Sequence, residues 1–189
     1  MPILEKQTSL FPSGLLSDSD FELKLYERNW WAVFTRTRQE KALARELERF
    51  EVPFYLPLLT KPNYFRQRVV ESHVPLFPGY VFLYATEAER IRALTTNRIM
   101  SLLTVPNQGQ LEHDLRQLHR LIEAKAPLTL EERLQPGHRV RIRFGSLQGL
   151  EGTITDRRGG KRRLLIAVEF LQSGVSVEIE DFMVERIGR

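Results

Sequence analysis

The sequence contains no cysteine among its 189 residues. Disulfide bonds and thiolate-bound metal sites are therefore excluded, which fits a protein of a reducing compartment. No run of 18 or more apolar residues occurs, so no segment has the length of a membrane-spanning helix. The chain begins with Glu5, Asp18 and Asp20 instead of the basic and then apolar segment of a secretory leader. We expect a soluble cytoplasmic protein that does not contact a membrane.

Recognisable catalytic motifs are also missing. The chain has no phosphate loop of the Gly-x-x-x-x-Gly-Lys type, no Gly-x-Ser-x-Gly elbow and no two-histidine helix motif. His113 and His119 are six residues apart, which does not place them on one helical face for a shared metal. We therefore expect no enzymatic activity, no cofactor and no metal, and a function that depends on binding surfaces.

Neither sign of charge is in large excess, since 28 Lys and Arg face 24 Asp and Glu, a net charge of +4. The excess is uneven: residues 28–122 carry +5 and residues 135–189 carry +3, whereas residues 1–27 carry −3. Two mildly basic regions are compatible with contact to nucleic acid but do not require it.

The most informative segment covers residues 73–83, where two prolines and a glycine interrupt a run of large apolar side chains. Pro75 and Pro78 cannot donate a hydrogen bond to a sheet, and Gly79 tolerates backbone angles that other residues avoid. The segment predicts a turn that leads into a strand over residues 80–83. Both faces of this strand are apolar, so one lines a core and the other is covered by a second layer or offered to a partner.

Three helices are predicted between residues 28 and 122. Thr37 with Glu40, and Thr86 with Glu89, have the spacing of a capping box and predict two helix starts. Leucine and isoleucine at helical spacing predict a third helix over residues 111–122.

Five strands are predicted in the same region, because apolar, aromatic and β-branched residues form runs of strand length. A turn at residues 61–63 separates the second strand from the third. The predicted strands are residues 30–35, 54–59, 65–74, 79–84 and 100–105. This order of elements predicts an α+β fold, a sandwich in which helices cover a mainly antiparallel sheet.

The rest of the chain divides into a tail, a linker and a second domain. Residues 1–27 show no sustained period and are predicted to be a mostly disordered tail. Residues 123–134 mix charges of both signs and are predicted to be a linker. Residues 135–189 contain short β-type runs broken by glycine, which predict a small all-β barrel.

Two motifs in this order resemble the NusG family of transcription elongation factors. Pro75-Leu-Phe-Pro-Gly-Tyr-Val-Phe is similar to the signature strand of the NusG amino-terminal (NGN) domain. Residues 140–154, with Gly145, Gly149 and Gly152, are similar to the KOW motif. KOW barrels also occur in ribosomal proteins, so a ribosome-associated, rRNA-binding protein is the alternative interpretation.

Further residues extend the resemblance to about residues 29–188. They are Trp30-Trp31 and the helix start Arg38-Gln39-Glu40-Lys41. The resemblance implies an NGN domain at residues 28–122 and a KOW domain at residues 135–189. Residues 74–78 are similar to the RfaH-like branch, which implies a specialised paralogue.

The resemblance implies that the NGN domain binds the clamp helices of the largest RNA polymerase subunit and suppresses pausing or termination. The implied contact is an aromatic surface that would contain Phe34, Phe77, Tyr80 and Phe82. Aromatic anchors of this kind supply much of the affinity of protein interfaces. Trp30 is expected to support this surface from the core, and the protein is expected to be a monomer.

The resemblance also implies contact between the first helix start and non-template DNA, through Arg36, Arg38 and Lys41, with Arg98 as a further candidate. Such contacts would be mainly to phosphate and would not by themselves read sequence. The alternative for each residue is a solvated surface charge.

The predicted KOW domain has two candidate surfaces. Five cations in seven residues could contact nucleic acid or form a solvated loop, namely Arg157, Arg158, Lys161, Arg162 and Arg163. In relatives the barrel binds a small-subunit ribosomal protein or the Rho termination factor, and the candidate contacts here are Phe144, Leu147 and Phe170. RfaH-like relatives can hold this domain as a helical hairpin, but its glycines disfavour a helix by roughly 1 kcal/mol each and predict a stable barrel.

Overall fold

The computed structural model describes residues 7–17, 27–65, 68–125, 128–131, 137–156, 162–179 and 184–187. The chain divides into two compact units, Met1–Gln108 and Gly109–Arg189. Among the described helices, none is both long and apolar enough to cross a membrane.

The amino-terminal unit is built on a sheet with helices. Its elements are β1 (Leu10–Phe11), β2 (Asn29–Thr35), α1 (Glu40–Arg49), β3 (Phe54–Tyr55), β4 (Leu58–Phe65), β5 (Arg68–Pro75), β6 (Tyr80–Ala85), α2 (Glu87–Leu94) and β7 (Ile99–Thr104). Five strands form one sheet in the order β1-β3-β6-β2-β7, and each neighbouring pair is antiparallel. Strands β4 and β5 form a separate two-stranded sheet. The predicted α+β fold is confirmed.

Alternation along the strands decides which side chains enter the core. Val33 of β2 is opposite Val81 of β6, and these residues lie in one buried cluster with Leu43 and Leu47 of α1 and Ala93 of α2. Because successive side chains in a strand point to opposite faces, Phe34, Tyr80 and Phe82 lie on the other face of the sheet. The helices α1 and α2 thus leave the aromatic face to other neighbours.

The first predicted capping box is wrong. Helix α1 begins at Glu40 with Gln39 as its N-cap residue, and no side chain caps it. Glu40 is only 8% exposed, and its Oε1 atom accepts a hydrogen bond of 2.7 Å from the backbone N–H of Gly79. A partner 39 residues away has replaced the local bond to Thr37.

The second predicted capping box is confirmed. The Thr86 N–H donates to Glu89 at 2.8 Å, and the Glu89 N–H donates to the Thr86 hydroxyl at 3.3 Å. Arg28 forms a 2.7 Å ion pair with the same carboxylate. Burial alone would raise the pKa of Glu89, but the hydrogen bonds from Arg28 and Thr86 outweigh it and hold the pKa below its ordinary value.

The turn predicted at residues 61–63 is wrong. Strand β4 continues through Pro62, which is opposite Glu71 of β5, and the two strands pair as far as Phe65 with Arg68. The two residues between β4 and β5 lie outside the described residues. Proline is tolerated here because a two-stranded ribbon leaves one edge of each strand unpaired.

The amino-terminal tail predicted at residues 1–27 is wrong for residues 7–17. Leu10 and Phe11 form strand β1 and pair with Tyr55 and Phe54 of β3. Residues 12–17 form a turn that buries Leu15 and Leu16. These four apolar side chains have no regular period, so local pattern gave no sign that they would find partners.

The carboxy-terminal unit combines helix α3 (Gln108–Glu123), which begins at the boundary, with an all-β region. Its strands are β8 (Thr129–Glu131), β9 (His138–Ile142), β10 (Glu151–Asp156), β11 (Arg162–Val168), β12 (Ser173–Glu178) and β13 (Val184–Arg186). They form an antiparallel sheet in the order β13-β9-β10-β11-β12-β8. The predicted all-β character of this region is confirmed.

The predicted linker at residues 123–134 contributes strand β8, which pairs with β12. The division between the units falls between Gln108 and Gly109, at the first residue of helix α3, whereas the predicted boundaries place this helix in the amino-terminal domain. A three-residue strand such as β8 has too few residues to show a period, so its sequence resembles a linker.

The glycines of the predicted KOW motif serve two purposes. Gly145 and Gly149 have φ angles of +93° and +82°, which side chains rarely adopt, and they shape the loop between β9 and β10. Gly152 lies within β10, where an added Cβ atom would be 2.4 Å from the carbonyl oxygen of Leu165. Close approach between strands, and not a bend, therefore requires glycine at position 152.

Candidate functional site

The four predicted polymerase-binding residues form one aromatic cluster, which we define as Phe34, Phe77, Tyr80 and Phe82. Phe34 of β2 lies opposite Tyr80 of β6, and their ring centroids are 5.3 Å apart. Phe77 meets Phe82 edge to face at 6.3 Å. The two ring pairs have the separations of stabilising aromatic contacts, so the sequence prediction groups residues that are close in space.

The members of this aromatic cluster differ in exposure. Phe34 and Tyr80 are half-buried, whereas Phe77 is 5% exposed and Phe82 is fully buried. Phe34 and Tyr80 are thus the members that present surface.

The turn before β6 is held rigidly against Phe34. Gly79 has a φ angle of +84°, and a Cβ atom at this position would lie 2.8 Å from the Phe34 ring. Its N–H is bound by Glu40, and its carbonyl oxygen accepts a 2.8 Å hydrogen bond from the N–H of Thr35. Two elements therefore fix the turn that positions Tyr80.

Trp30 is 2% exposed, in agreement with its predicted place in the core. Its ring contacts Tyr84 with a centroid separation of 5.0 Å. The Gln108 side chain accepts a hydrogen bond from the backbone N–H of Trp30 at 2.6 Å and donates one to the backbone carbonyl oxygen of Trp30 at 3.0 Å. The side-chain amide of Gln108 thus satisfies backbone groups that a neighbouring strand would otherwise bind.

The predicted basic residues near α1 fall into two groups. Arg36 and Arg38 are exposed and Lys41 is half-buried, and none of the three forms an ion pair among the described residues. Arg98 instead forms a 2.7 Å ion pair with Glu46 and donates a hydrogen bond to Gln39. Arg98 therefore holds the start of α1 in place and is already paired, which weakens it as a DNA contact.

Two further cations on α1 were missed by the sequence analysis. Arg45 and Arg49 are exposed and follow Lys41 at four-residue intervals, so all three lie on one stripe of the helix. The signal was present in the sequence as the spacing 41, 45 and 49. We define Lys41, Arg45 and Arg49 as the α1 stripe.

The carboxylates of α1 all have other partners. Glu40 binds the Gly79 N–H, Glu46 pairs with Arg98, and Glu48 accepts a 2.9 Å hydrogen bond from the Thr8 hydroxyl. Because these carboxylates bind groups on neighbouring elements, they do not pair with the cations of the α1 stripe. The stripe therefore keeps more positive charge than the number of acids in α1 suggests.

The basic loop predicted in the carboxy-terminal unit is only partly described. Arg157, Arg158 and Lys161 lie outside the described residues, and Arg162 belongs to β11. Arg163 is 9% exposed and donates to Ser176 at 2.9 Å and to Thr129 at 2.6 Å. Its assignment to a nucleic-acid surface is corrected, because its guanidinium is buried in hydrogen bonds that tie β8, β11 and β12 together.

The predicted partner contacts of this unit come from two segments. Phe144 is 42% exposed and Leu147 is half-buried in the loop between β9 and β10. Phe170 is half-buried in a short 3-10 turn, Glu169–Leu171, that follows β11. All three side chains retain some exposed surface.

Helix α3 contacts the all-β region of its own unit through side chain to backbone hydrogen bonds. Gln117 donates to the Glu151 carbonyl oxygen at 2.7 Å and accepts from the Glu151 N–H at 2.8 Å. Arg120 donates to the carbonyl oxygen of Gln148 at 2.6 Å. These bonds explain why α3 groups with the carboxy-terminal unit.

Comparison with known proteins gives a family. Residues 28–133 match the NusG model, described as transcription termination factor nusG. A comparison with curated proteins finds no match. Solved structures that match include one of Thermotoga maritima NusG, on its domain interaction, at 17% identity and a TM-score of 0.44, covering 86% of this chain and 98% of that chain. An MjSpt4:Spt5 complex matches at 17% identity and a TM-score of 0.27, covering 85% of this chain and 97% of that chain.

The family model covers more than half of the chain, and the chain therefore belongs to the NusG family of transcription factors. This membership gives it a general role in transcription elongation and its regulation. The assignment depends on the family model and on the agreement of the sequence motifs with it, and not on the two distant structures.

Proposed function

We propose that this protein is a transcription elongation factor that binds the clamp helices of the largest RNA polymerase subunit through the aromatic cluster. The observation that supports this most is the half-exposed pair Phe34 and Tyr80, which lies beside a turn that the hydrogen bonds of Gly79 with Glu40 and Thr35 hold in place. A rigid aromatic pair loses little conformational entropy on binding. Phe77 and Phe82 are buried and contribute to the packing of the domain, not to the exposed surface.

The proposed action is suppression of pausing or termination, without enzymatic chemistry. Residues 74–78 favour a specialised, RfaH-like paralogue over a housekeeping factor. The family match covers residues 28–133, most of which precede the KOW-like region. This favours transcription over the ribosomal alternative, since that alternative depends on the KOW-like region alone.

Nucleic acid is the second proposed partner, and non-template DNA is the form we expect. Arg36, Arg38 and the α1 stripe supply exposed or half-exposed cations next to each other in sequence and on one helix face. Arg98 is left out of this surface because it is ion-paired with Glu46, and Arg163 because it is buried. Arg45 is kept, because it is exposed and its one hydrogen bond, to Gln7, leaves its charge without an ion pair among the described residues. The KOW-like unit is proposed to bind a small-subunit ribosomal protein or Rho through Phe144, Leu147 and Phe170.

Binding of the full chain to a purified polymerase clamp-helix fragment tests the polymerase contact. We expect Phe34→Ala and Tyr80→Ala to weaken binding tenfold or more each, a loss of at least about 1.4 kcal/mol. Tyr84→Ala is the matched control, because Tyr84 is a half-buried aromatic residue of the same strand and face that stacks on Trp30. Phe82→Ala is unsuitable, since emptying a fully buried site destabilises the fold.

The two variants must retain the circular-dichroism spectrum and unfolding midpoint of the natural chain. Equal binding by Tyr80→Ala and Tyr84→Ala would contradict the proposal, and so would no binding by the natural chain. Either result would make co-purification with ribosomal subunits the next experiment.

A further inference from the structure

Arg38 has a backbone conformation that arginine rarely adopts, with a φ angle of +59°. Four other non-glycine residues of the described chain have a positive φ angle, but each of them follows the end of an α-helix or of the 3-10 turn. They are Glu51, Asn97, Lys125 and Gln172. A left-handed residue commonly stops a helix at that point. Arg38 instead precedes helix α1, so helix termination does not explain its conformation.

The turn between β2 and α1 requires this conformation. The Gln39 N–H donates a 3.0 Å hydrogen bond to the carbonyl oxygen of Arg36, which closes a four-residue turn with Arg38 at its third position. A positive φ angle at the third position of a turn favours glycine or asparagine, because other side chains are strained there. The sequence thus has arginine at a position where the turn favours glycine.

The residues around the turn prevent it from relaxing. Before it, the Thr35 N–H donates to the carbonyl oxygen of Gly79 at 2.8 Å. The Arg36 N–H donates to the carbonyl oxygen of Arg98, also at 2.8 Å. After it, the Glu40 carboxylate binds the N–H of Gly79. A strained backbone persists where its surroundings fix it in this way, and such strain is concentrated at functional sites.

The Arg38 side chain makes no contact in the fold that offsets this strain. It is exposed, and within the described ranges it forms no hydrogen bond and no ion pair. Glycine at this position would therefore leave the described contacts in place and relieve the backbone. A residue that breaks a local rule without helping the fold is a candidate for a role in binding.

We propose that Arg38 is the principal phosphate contact of the nucleic-acid surface, and that arginine occupies this position because binding uses its guanidinium. A guanidinium donates two parallel hydrogen bonds to a phosphate, whereas an ammonium group acts as a point charge. Because the turn is already held in place, binding does not have to order the backbone of Arg38. This inference rests on the nucleic-acid part of the proposed function and does not involve the aromatic cluster.

The other cations of this surface lack the same combination of features. Arg36 is exposed, but its φ angle is not positive, so arginine at that position does not oppose the fold. Lys41 is half-buried, and Arg45 donates a hydrogen bond to Gln7. We expect these cations to add general attraction for phosphates and Arg38 to add a positioned contact.

Stability and binding are expected to change in opposite directions in Arg38→Gly, which separates a binding role from a structural one. In the full chain this change should raise the thermal unfolding midpoint by about 2 to 4 °C, because it removes the strain. Affinity for a fluorescent single-stranded DNA oligonucleotide should fall about tenfold, and the slope of log affinity against log salt should become shallower by about 0.7, the value for one phosphate of a single strand.

Lys125→Gly is the matched control. Lys125 is an exposed cation with a φ angle of +53° in the carboxy-terminal unit, so the change removes the same charge from the same backbone conformation. It should raise the unfolding midpoint similarly and leave the DNA affinity and the salt slope unchanged. Arg38→Lys keeps both the charge and the strain, so it should retain the midpoint and the salt slope and bind DNA more weakly than the natural chain but more tightly than Arg38→Gly.

Unchanged DNA affinity in Arg38→Gly would overturn the inference, and so would an equal loss of affinity in Lys125→Gly, which would indicate net charge alone. An Arg38→Gly chain no more stable than the natural one would also overturn it, since arginine would then not oppose the fold. A natural chain that binds no DNA would reject the nucleic-acid part of the proposed function as well, while the clamp-helix experiment would still decide the polymerase contact.

Discussion

Thr37-x-x-Glu40 and Thr86-x-x-Glu89 are the same local signal with different outcomes. The second forms a capping box at the start of α2, and the first does not, because Glu40 turns away from Thr37 and binds the Gly79 N–H. Each carboxylate satisfies a backbone N–H, but one does so within its own turn and the other across the fold.

The difference follows from what each helix start faces. Glu40 is buried beside a turn whose glycine N–H needs an acceptor, and leaving that donor unpaired would cost about 1 to 3 kcal/mol. Glu89 lies beside Arg28, whose guanidinium adds to the local bonds instead of competing with them. A capping spacing therefore marked both helix starts to within two residues, but it predicts the partner of the acid only where no buried donor is close.

The largest effect is expected when Gly79, the distant partner of Glu40, is changed. Gly79→Ala places a side chain at a φ angle of +84° and 2.8 Å from the Phe34 ring. We therefore expect the free energy of unfolding to fall by about 2 to 3 kcal/mol. Urea unfolding followed by tryptophan fluorescence measures it, since both tryptophans lie in β2. Gly109→Ala is the control, because an exposed glycine in helix α3 should be neutral or stabilising when replaced by alanine. A Gly79→Ala chain as stable as the natural one would show that the turn relaxes freely.

Removal of the distant acceptor is expected to have the next largest effect. Glu40→Ala leaves the Gly79 N–H without its partner and should cost about 1 to 3 kcal/mol, measured in the same unfolding experiment. Glu40→Gln keeps an acceptor oxygen and should lose clearly less. Equal losses for both variants would mean that the charge of Glu40, and not its hydrogen bond, is what matters.

The two threonines provide a smaller and direct contrast. Thr86→Ala removes a cap that is present and should cost about 1 kcal/mol. Thr37→Ala removes a hydroxyl that caps nothing and should stay within about 0.5 kcal/mol of the natural chain. Similar losses at both positions would contradict the difference that the structure shows.

The smallest effect is expected from pH. The folded-state pKa of Glu89 is below its ordinary value of 4.5, so its stabilising contribution is complete above that value and is lost as the pH falls through the lowered pKa. Thermal unfolding between pH 6 and pH 3 should therefore show a steeper decline for the natural chain than for Glu89→Gln. Parallel curves would show that this carboxylate does not titrate with folding.

Much of the fold could be predicted from the sequence, because long helices and strands show a recognisable hydrophobic period. Strand β2, the start of helix α2 and the strand after Gly79 were predicted within a residue or two, and the two motifs led to the correct family. Strand pairing also places two members of the aromatic cluster, Phe34 and Tyr80, next to each other, while the binding role of the cluster stays a prediction.

The rest depended on contacts between residues far apart in sequence. Strands β1 and β8 have two and three residues, too few for a period, and exist only because β3 and β12 offer an open edge. Burial of Phe77 and Arg163 likewise depends on neighbours that no local pattern reveals. Sequence reasoning could name these side chains, but it could not determine which of them the fold would bury.

Strand β8 also changes how helix α3 behaves. With β8 bound to β12 and tied to Arg163, only residues 124–128 connect the end of α3 to the all-β region. Such a short tether holds the helix near Gln148 and Glu151 at an effective concentration on the order of millimolar. Loss of the Gln117 and Arg120 bonds would then be followed by rapid rebinding, so that α3 leaves its unit only if β8 is released as well.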